Sequence, residues 1–328
     1  MKHQHILGCH GVRLNLEDLD ALPTPYAMSF GFELNSLCES IRTIGLVNPP
    51  CIGKDEKGRV ELVTGYRRVT ALKELGWSEV VCEDLSSTVP SQREKMLFAL
   101  HENLTTRVFN PVEKAMVLCR LEPFFPGEEI LEKFMPLLSL PSHESTRRFY
   151  VELAGMSEEF LRAVAGGGLS LNAAKSLIGL QQKSAESALH CILKLRLNVN
   201  QQLQFIELMT DISKAEEKGF HRILAEEPMQ AVLKNNHLNR PQKAKNLLEE
   251  LRARRYPRWK AAEKRFQEQV DRLSLPEGVR IDHPPYFEAS GYRLEVRFQN
   301  SDDLINKVKL LSQLTDLKEF RDPLRDDD

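Results

Sequence analysis

The sequence of 328 residues contains no run approaching the roughly 18 uninterrupted apolar residues that a bilayer span requires, so a membrane-spanning role is not expected. Cysteine is sparse and dispersed: Cys9, Cys38, Cys51, Cys82, Cys119 and Cys191 form no CxxC pair. That spacing argues against a zinc ribbon and against a disulfide framework, and leaves small buried hydrophobes as the simplest role. Gly8-Cys9-His10 is the tempting group, a lone thiol beside a histidine that can activate it. The opening MKHQHILGCHGVRLNLEDLD lacks a long apolar core followed by a small-residue cleavage site, so a cytoplasmic location is expected. Bulk positive charge is also missing, because the formal net charge is -2, and total charge therefore lends nothing to a nucleic-acid role. There is no internal repeat and no low-complexity tract.

What the chain does hold is an ordinary globular composition, 41% apolar and 28% charged, over a length that suits about two or three domains. Its charge is unevenly placed. Between positions 240 and 265 stand ten cations and three anions, a local excess of seven, interleaved with Tyr256 and Trp259 and followed at once by Phe266. Such a helix can dock an aromatic stripe while its cationic face meets DNA phosphate. The tail RDPLRDDD leans acidic and is expected to be solvated.

Periodicity divides the chain into an α+β region over 1–110, a helical region over 111–237, and a basic helix with a small α+β unit over 238–328. In the first, ELNSLCESIRTIG spaces Leu34, Leu37, Cys38 and Ile41 for one helical face and stops at Gly45. LVNPPCIGKDEKGRVELVTG reads as strand, charged turn, strand; GYRRVTALKELG as a helix; VVCEDL as a further strand. Asn110 and Pro111 open the helical region as cap and first-turn proline. Within it EEILEKFMPLL and SHESTRRFYVEL, separated by SLP, have helix-turn-helix spacing. Near the end YRLEVRFQ alternates as a strand, and SDDLINKVKLLSQL reads as a capped amphipathic helix; the pair is expected to form a core or a dimer interface.

Chemistry concentrates in two short motifs. A helix start offers free N–H groups and partial positive charge, Gly65 permits close approach, and Arg67 and Arg68 add two guanidinium forks suited to phosphate oxygens. The bland alternative is a solvated helix start whose arginines pair with neighbouring carboxylates. In HENLTTRVFNP, Glu102 and Asn103 supply oxygen donors of the kind Mg²⁺ takes when it also holds substrate phosphates. The two motifs together describe a metal-phosphate site.

The order GLVNPP, VTGYRRVTALKELG, ENLTTRVFNPVEKA, a helix-turn-helix and GGLSLNAAKSLIGL resembles the ParB family of chromosome and plasmid partition proteins over residues 12–180. Gly65, Arg67 and Arg68 fill the family's GxRR signature, Glu102 and Asn103 begin its ENxxR signature, and Gly168, Leu169 and Ser170 fill a third. The resemblance implies a ParB/sulfiredoxin-like amino-terminal fold that binds CTP with Mg²⁺, an all-α helix-turn-helix domain that reads a palindromic site on double-stranded DNA, and a homodimer. It implies cooperation with a ParA-type ATPase and a nucleoid-associated place in the cytoplasm. By residue it implies Arg67 and Arg68 on phosphates, Glu102 and Asn103 at the metal-phosphate end, and Asn48 and Pro49 near the base, with Gly65 and Tyr66 bordering the ligand.

The chain departs from that pattern at three places. Tyr66 stands where the family carries glutamate. Arg107 comes one position late, and on a continuous helix one residue turns a side chain by about 100°, which would carry it off the ligand and leave at most a weak CTPase. The DNA-reading helix opens with Ser142, His143 and Ser145 in place of the usual basic start, leaving Arg147 and Arg148 to reach phosphates or bases. Two other functions fit the same scaffold: a nuclease drawing on Glu102, His101 and Asp84, and an adaptor that binds no nucleotide. A sulfiredoxin-like reductase would need a cysteine at the GYRR position, which has none.

Overall fold

The computed structural model describes residues 11–19, 24–283 and 291–313. The Gly8-Cys9-His10 group and the acidic tail lie outside them. The described chain falls into two compact units, 1–203 and 204–328.

The first unit opens with a four-stranded sheet in the order β1-β4-β2-β3. Strand β1 (Gly11–Asn15) runs into a 3-10 turn, Leu16–Leu19, and α1 (Asn35–Ile44) leads to β2 (Cys51–Lys54). A charged turn joins it to β3 (Val60–Thr64), then come α2 (Tyr66–Glu74) and β4 (Glu79–Asp84). Strands β1 and β4 pair antiparallel with Val12 opposite Cys82, β2 and β3 antiparallel with Ile52 opposite Leu62, and β2 with β4 in parallel with Cys51 opposite Glu83. Leu16, Cys38, Ile41, Ile52, Val69, Leu72 and Val80 close one core where α1 and α2 cover the sheet. The turn at Asp55–Gly58 is fixed by the Asp55 carboxylate, which accepts from the backbone N–H of Lys57 and Arg59.

Helix α3 (Gln92–Thr106) begins at a capping box, Ser91 with Glu94, and carries a lysine into the interior. Lys95 is 2% exposed; its ammonium donates to the Lys54 carbonyl and pairs with Glu61 at 2.8 Å. The Tyr26 hydroxyl also donates to Glu61, at 3.3 Å. The lysine stem passes under Gly53, where an added Cβ would sit 3.0 Å from Lys95 Cε.

From there the first unit is helical. Helix α4 (Pro111–Leu121) starts at a second capping box, Asn110 with Glu113. Helix α5 (Gly127–Glu129) widens through a π turn, Ile130–Phe134, into α6 (Met135–Leu137). Pro136 has no N–H to give to the helical ladder there, a cause of such widening. Then follow α7 (Glu144–Ala154), α8 (Glu158–Ala165), α9 (Leu171–Ile178) and α10 (Gln182–Leu195), with Ser157 and Ser170 as caps. The buried amide of Gln202 closes this part: it donates to the carbonyls of Gly168 and Leu197 and accepts from the Ser170 N–H. Cys38, Cys51, Cys82 and Cys191 are free and buried, and burial pushes the Cys51 thiol up to about 11 and that of Cys191 to about 12.

Helix α11 (Val199–Glu216) follows in sequence. The second unit continues with α12 (Phe220–Ala225), α13 (Glu227–Lys234), α14 (Arg240–Arg255) and α15 (Pro257–Arg272). The interruption expected near Tyr256-Pro257 in the basic segment is present: two helices meet at Tyr256, before Pro257. Strands β5 (Val279–Asp282) and β6 (Arg293–Val296) pair antiparallel, and α16 (Ser301–Ser312) is capped by Asn300. Leu294 and Phe298, from the alternating stretch, are exposed, as is Ile305 on α16.

Candidate functional site

The turn from β3 into α2 is made by Gly65, the N-cap, at φ 94° and ψ 18°. A side chain there would be strained by the left-handed backbone and would also meet Pro50, whose Cα and Cβ lie 2.9 Å from an ideal Cβ. The glycine therefore lets the 48–50 loop press against the first turn of α2. Arg68 uses that closeness: its Nη1 donates to the carbonyls of Asn48 and Pro49 at 2.9 and 3.0 Å, and its Nη2 meets Glu102 Oε1 at 2.7 Å. The two sequence motifs, more than thirty residues apart, are joined by this ion pair.

Arg67 points the other way along the same cavity. Its Nη2 lies 2.7 Å from Glu113 Oε1, its Nε donates to Ser29 Oγ at 3.1 Å, and its guanidinium sits 4.8 Å from the centre of the Phe32 ring. Tyr66, in the family's glutamate position, packs edge-to-face on Phe32 with ring centres 5.9 Å apart. Tyr66 thus borders the cavity at the position where the family carries a carboxylate.

Arg107 corrects the expectation drawn from helix geometry. Helix α3 ends at Thr106, and Arg107 is its C-cap in extended conformation, φ -160° and ψ 165°. The 100° rotation of a continuous helix does not apply to it. Its Nη1 reaches the same Glu113 Oε1 at 2.7 Å, its Nε donates to Asn103 Oδ1 at 2.9 Å, and its Nη2 donates to the Met28 carbonyl at 2.7 Å and to Ser29 Oγ. Burial pulls this guanidinium's pKa down, Glu113 opposes that shift, and neighbouring Arg67 adds to it.

These side chains enclose a cavity of about 360 Å³. Asn48, Gly65, Tyr66, Arg67, Arg68, Glu102 and Asn103 all border it, joined by Arg107 and by the segment Tyr26–Ser29; Pro49 contributes through its carbonyl to Arg68. The volume falls in the range of small-ligand sites. The arginines do pair with carboxylates, as the bland alternative required. They do so around a pocket, with Arg68 at 17% and Arg107 at 14% exposure largely out of solvent and Arg67 at 32% half-buried.

Glu113 was not among the residues singled out in the sequence. It is 1% exposed and serves both the arginines and its own helix: Oε1 also accepts from the Phe30 N–H at 3.1 Å, while Oε2 accepts from the Asn110 N–H at 3.0 Å. Asn110 Nδ2 in turn donates to the Phe30 carbonyl. The first turn of α4 is thereby stitched to the pocket wall. The only sequence signal was the Asn-Pro-x-Glu capping box itself.

The donor chemistry of Glu102 and Asn103, one carboxylate and one amide oxygen, suits a hard cation that keeps waters and shares phosphate oxygens. Alone the pair is too few for a metal, and among the described residues no group of three or more His, Cys, Asp or Glu could hold one. Asp84 is taken up by the Ser86 N–H and hydroxyl, and His101 borders a largely apolar groove with Leu97, Phe98 and Glu102, so neither Asp84 nor His101 lines the arginine cavity.

At the start of α7, Ser142, His143, Ser145 and Arg148 are exposed, and Arg148 pairs with no carboxylate among the described residues. Arg147 is held by Glu144 at 2.8 Å and by Glu122, so it is not a ready phosphate ligand. In the basic segment the aromatic stripe docks, as expected of it. Trp259 and Phe266 pack with Ala262, Val270 and Ile281, and Phe266 stacks on Tyr292, which removes them as a base-stacking platform. Arg254 is bound by Glu216 and Glu226, each at 2.6 Å, and Arg255 by Asp211 at 2.8 Å.

Residues 12–104 match the family model of the ParB N-terminal domain. A nucleoid occlusion protein of Geobacillus thermodenitrificans (strain NG80-2) is 28% identical over 198 residues, which cover 58% of this chain and 67% of that protein. Two crystal structures of the C-terminally truncated chromosome-partitioning protein ParB from Caulobacter crescentus are also similar. The one complexed to the centromeric parS site has a TM-score of 0.34 and 15% identity, covering 60% of this chain and 98% of that one. The one with CTP-gamma-S has a TM-score of 0.26 and 20% identity, covering 56% and 99%. Likeness at those scores carries no argument about ligands. The sheet, the glycine-led turn with its two arginines and the Glu102–Asn103 pair instead coincide with the span of the family match, and residues 12–104 of this chain belong to the ParB N-terminal domain family.

Proposed function

We propose that this chain is a ParB-type DNA-binding partition protein whose amino-terminal pocket takes CTP with Mg²⁺ and whose helix α7 meets double-stranded DNA. One observation carries the reading: Arg67, Arg68 and Arg107, from two different elements, converge on a single cavity that also holds Glu102 and Asn103. Three buried or half-buried guanidinium groups in one small cavity repel one another, and an anionic ligand of several charges offsets that repulsion. When bound, Mg²⁺ would neutralise phosphate charge, held by Glu102 and, on release from Arg107, by Asn103. Choice of CTP over other triphosphates, homodimerisation and partnership with a ParA-type ATPase belong to the same proposal and rest on the family. Its domains in this reading span 1–110, 111–237 and 238–328.

The test is thermal protection by CTP, ATP and GTP, each with and without Mg²⁺, because a ligand that binds only the folded state raises its midpoint. CTP with Mg²⁺ should raise it and Arg67→Ala should abolish the rise. An equal rise in Arg67→Ala would remove that residue from the site, and no rise with any nucleotide would leave the adaptor reading, which the internal carboxylate partners of every pocket arginine favour.

A further inference from the structure

Glu113 has a chemical part to play that its place in a capping box does not require. One carboxylate oxygen, 1% exposed as a residue, meets two guanidinium groups at 2.7 Å each, and the same two groups also share Ser29 Oγ. Arg67 and Arg107 are thus held side by side, facing one cavity, by an anion that belongs to the protein. Cap satisfaction needs only the other oxygen, which accepts from Asn110. Two half-buried like charges without this oxygen would be costly, and a polyphosphate arriving in the cavity supplies equivalent oxygens.

We propose that Glu113 is the internal counter-ion of the pocket: it positions and neutralises Arg67 and Arg107 while no anion is present, and an incoming polyphosphate competes with it for both. This deepens the phosphate reading of the site and rests on it. Glu113 acts through the arginines and is a positioning residue. Because its remaining contacts are the Phe30 N–H and the first turn of α4, that competition is felt where the helical region begins.

The test titrates the full chain with inorganic tripolyphosphate at fixed ionic strength and without metal, by calorimetry. Glu113→Gln removes the competing charge at constant length, and its dissociation constant should tighten at least tenfold while the unliganded midpoint falls. Glu113→Asp, whose shorter carboxylate reaches less far, should move both quantities the same way by less, and it serves should the glutamine variant not fold. Adding Arg67→Ala to either variant should cancel the gain. A purely structural Glu113 would lower the midpoint and leave the affinity where it was; a folded variant that binds no tighter than the parent overturns the proposal. If the parent binds nucleotides yet the variants show no gain, this inference alone fails. If the parent and both variants bind neither tripolyphosphate nor any nucleotide, the phosphate reading falls and takes it along.

Discussion

Replacing Gly65 by alanine should be among the most damaging single-methyl changes in the chain, and the structure says by how much. The residue sits at φ 94°, where an L side chain costs roughly 1–2 kcal/mol. Its new Cβ would lie 2.9 Å from two atoms of Pro50, one of them backbone, and 3.3 Å from Arg68 Nε, so the loop and not a flexible tip must give. Overpacking of that kind adds about 1–3 kcal/mol. Gly58→Ala is the internal control: it shares the left-handed backbone, φ 77°, but nothing lies within 4 Å of its Cβ. Both changes restrict the unfolded chain equally, so the difference between them isolates Pro50. Urea and thermal denaturation followed by circular dichroism should put Gly65→Ala below Gly58→Ala by about 1–3 kcal/mol, or a midpoint difference of about 2–12 °C at the size of the first unit. Displacing Pro50 also disturbs the carbonyls of Asn48 and Pro49 that hold Arg68, so polyphosphate affinity should fall in the same variant. Equal midpoints for the two alanine variants would refute the claim that the glycine serves the approach of this loop.

Lys95→Met leaves the Glu61 carboxylate without its buried partner and should destabilise by about 3 kcal/mol in urea denaturation, whereas adding Glu61→Leu should recover most of the loss. In the second unit the hydrogen bonds from Arg254, with Lys218 adding, hold the Glu216 carboxyl at about 2. A depressed acid stabilises the fold above its unfolded pKa and loses that contribution as pH falls, so the gap in midpoint between parent and Arg254→Met should be open at pH 7 and close between about 4.5 and 2. Arg148→Ala should weaken binding to any duplex and lower the salt slope by about one, while Arg147→Ala, already engaged by Glu144 and Glu122, should change the slope less; fluorescence anisotropy at several salt concentrations separates them.

How far the site was legible follows from what each residue advertises locally. Gly65, Arg67 and Arg68 announce themselves because a glycine at a strand end before a helix, followed by paired cations, is a local pattern with a local cause. Glu102 and Asn103 do so less strongly, through the ENxxR resemblance. Arg107 is hard to place because nothing in TTRVF marks the end of α3 at Thr106. Glu113 was hidden by having a sufficient local explanation as a capping residue; its partner Arg67 is forty-six positions away. Ser29 and the Met28 carbonyl carry no signal at all, being placed by the path of an irregular segment. In the fold the four central elements β2, β3, α2 and β4 were readable from periodicity, whereas β1, a five-residue strand at the sheet edge, was not singled out. Part of the charge of α14 is matched in the way that hid Glu113: the acids that neutralise Arg254 and Arg255 lie on α11 and just after α12, far off in sequence.

The lysine beneath the sheet leaves a mark that comparison across many sequences would reveal. Its stem fills the space a side chain at Gly53 would need, and its charge is tolerable only with an acid at Glu61. Positions 53, 61 and 95 are therefore constrained as a triplet: lineages in which the third becomes a short aliphatic residue should shed the acid from the second and become free to acquire a methyl at the first, and substitution at only one of the three should be rare.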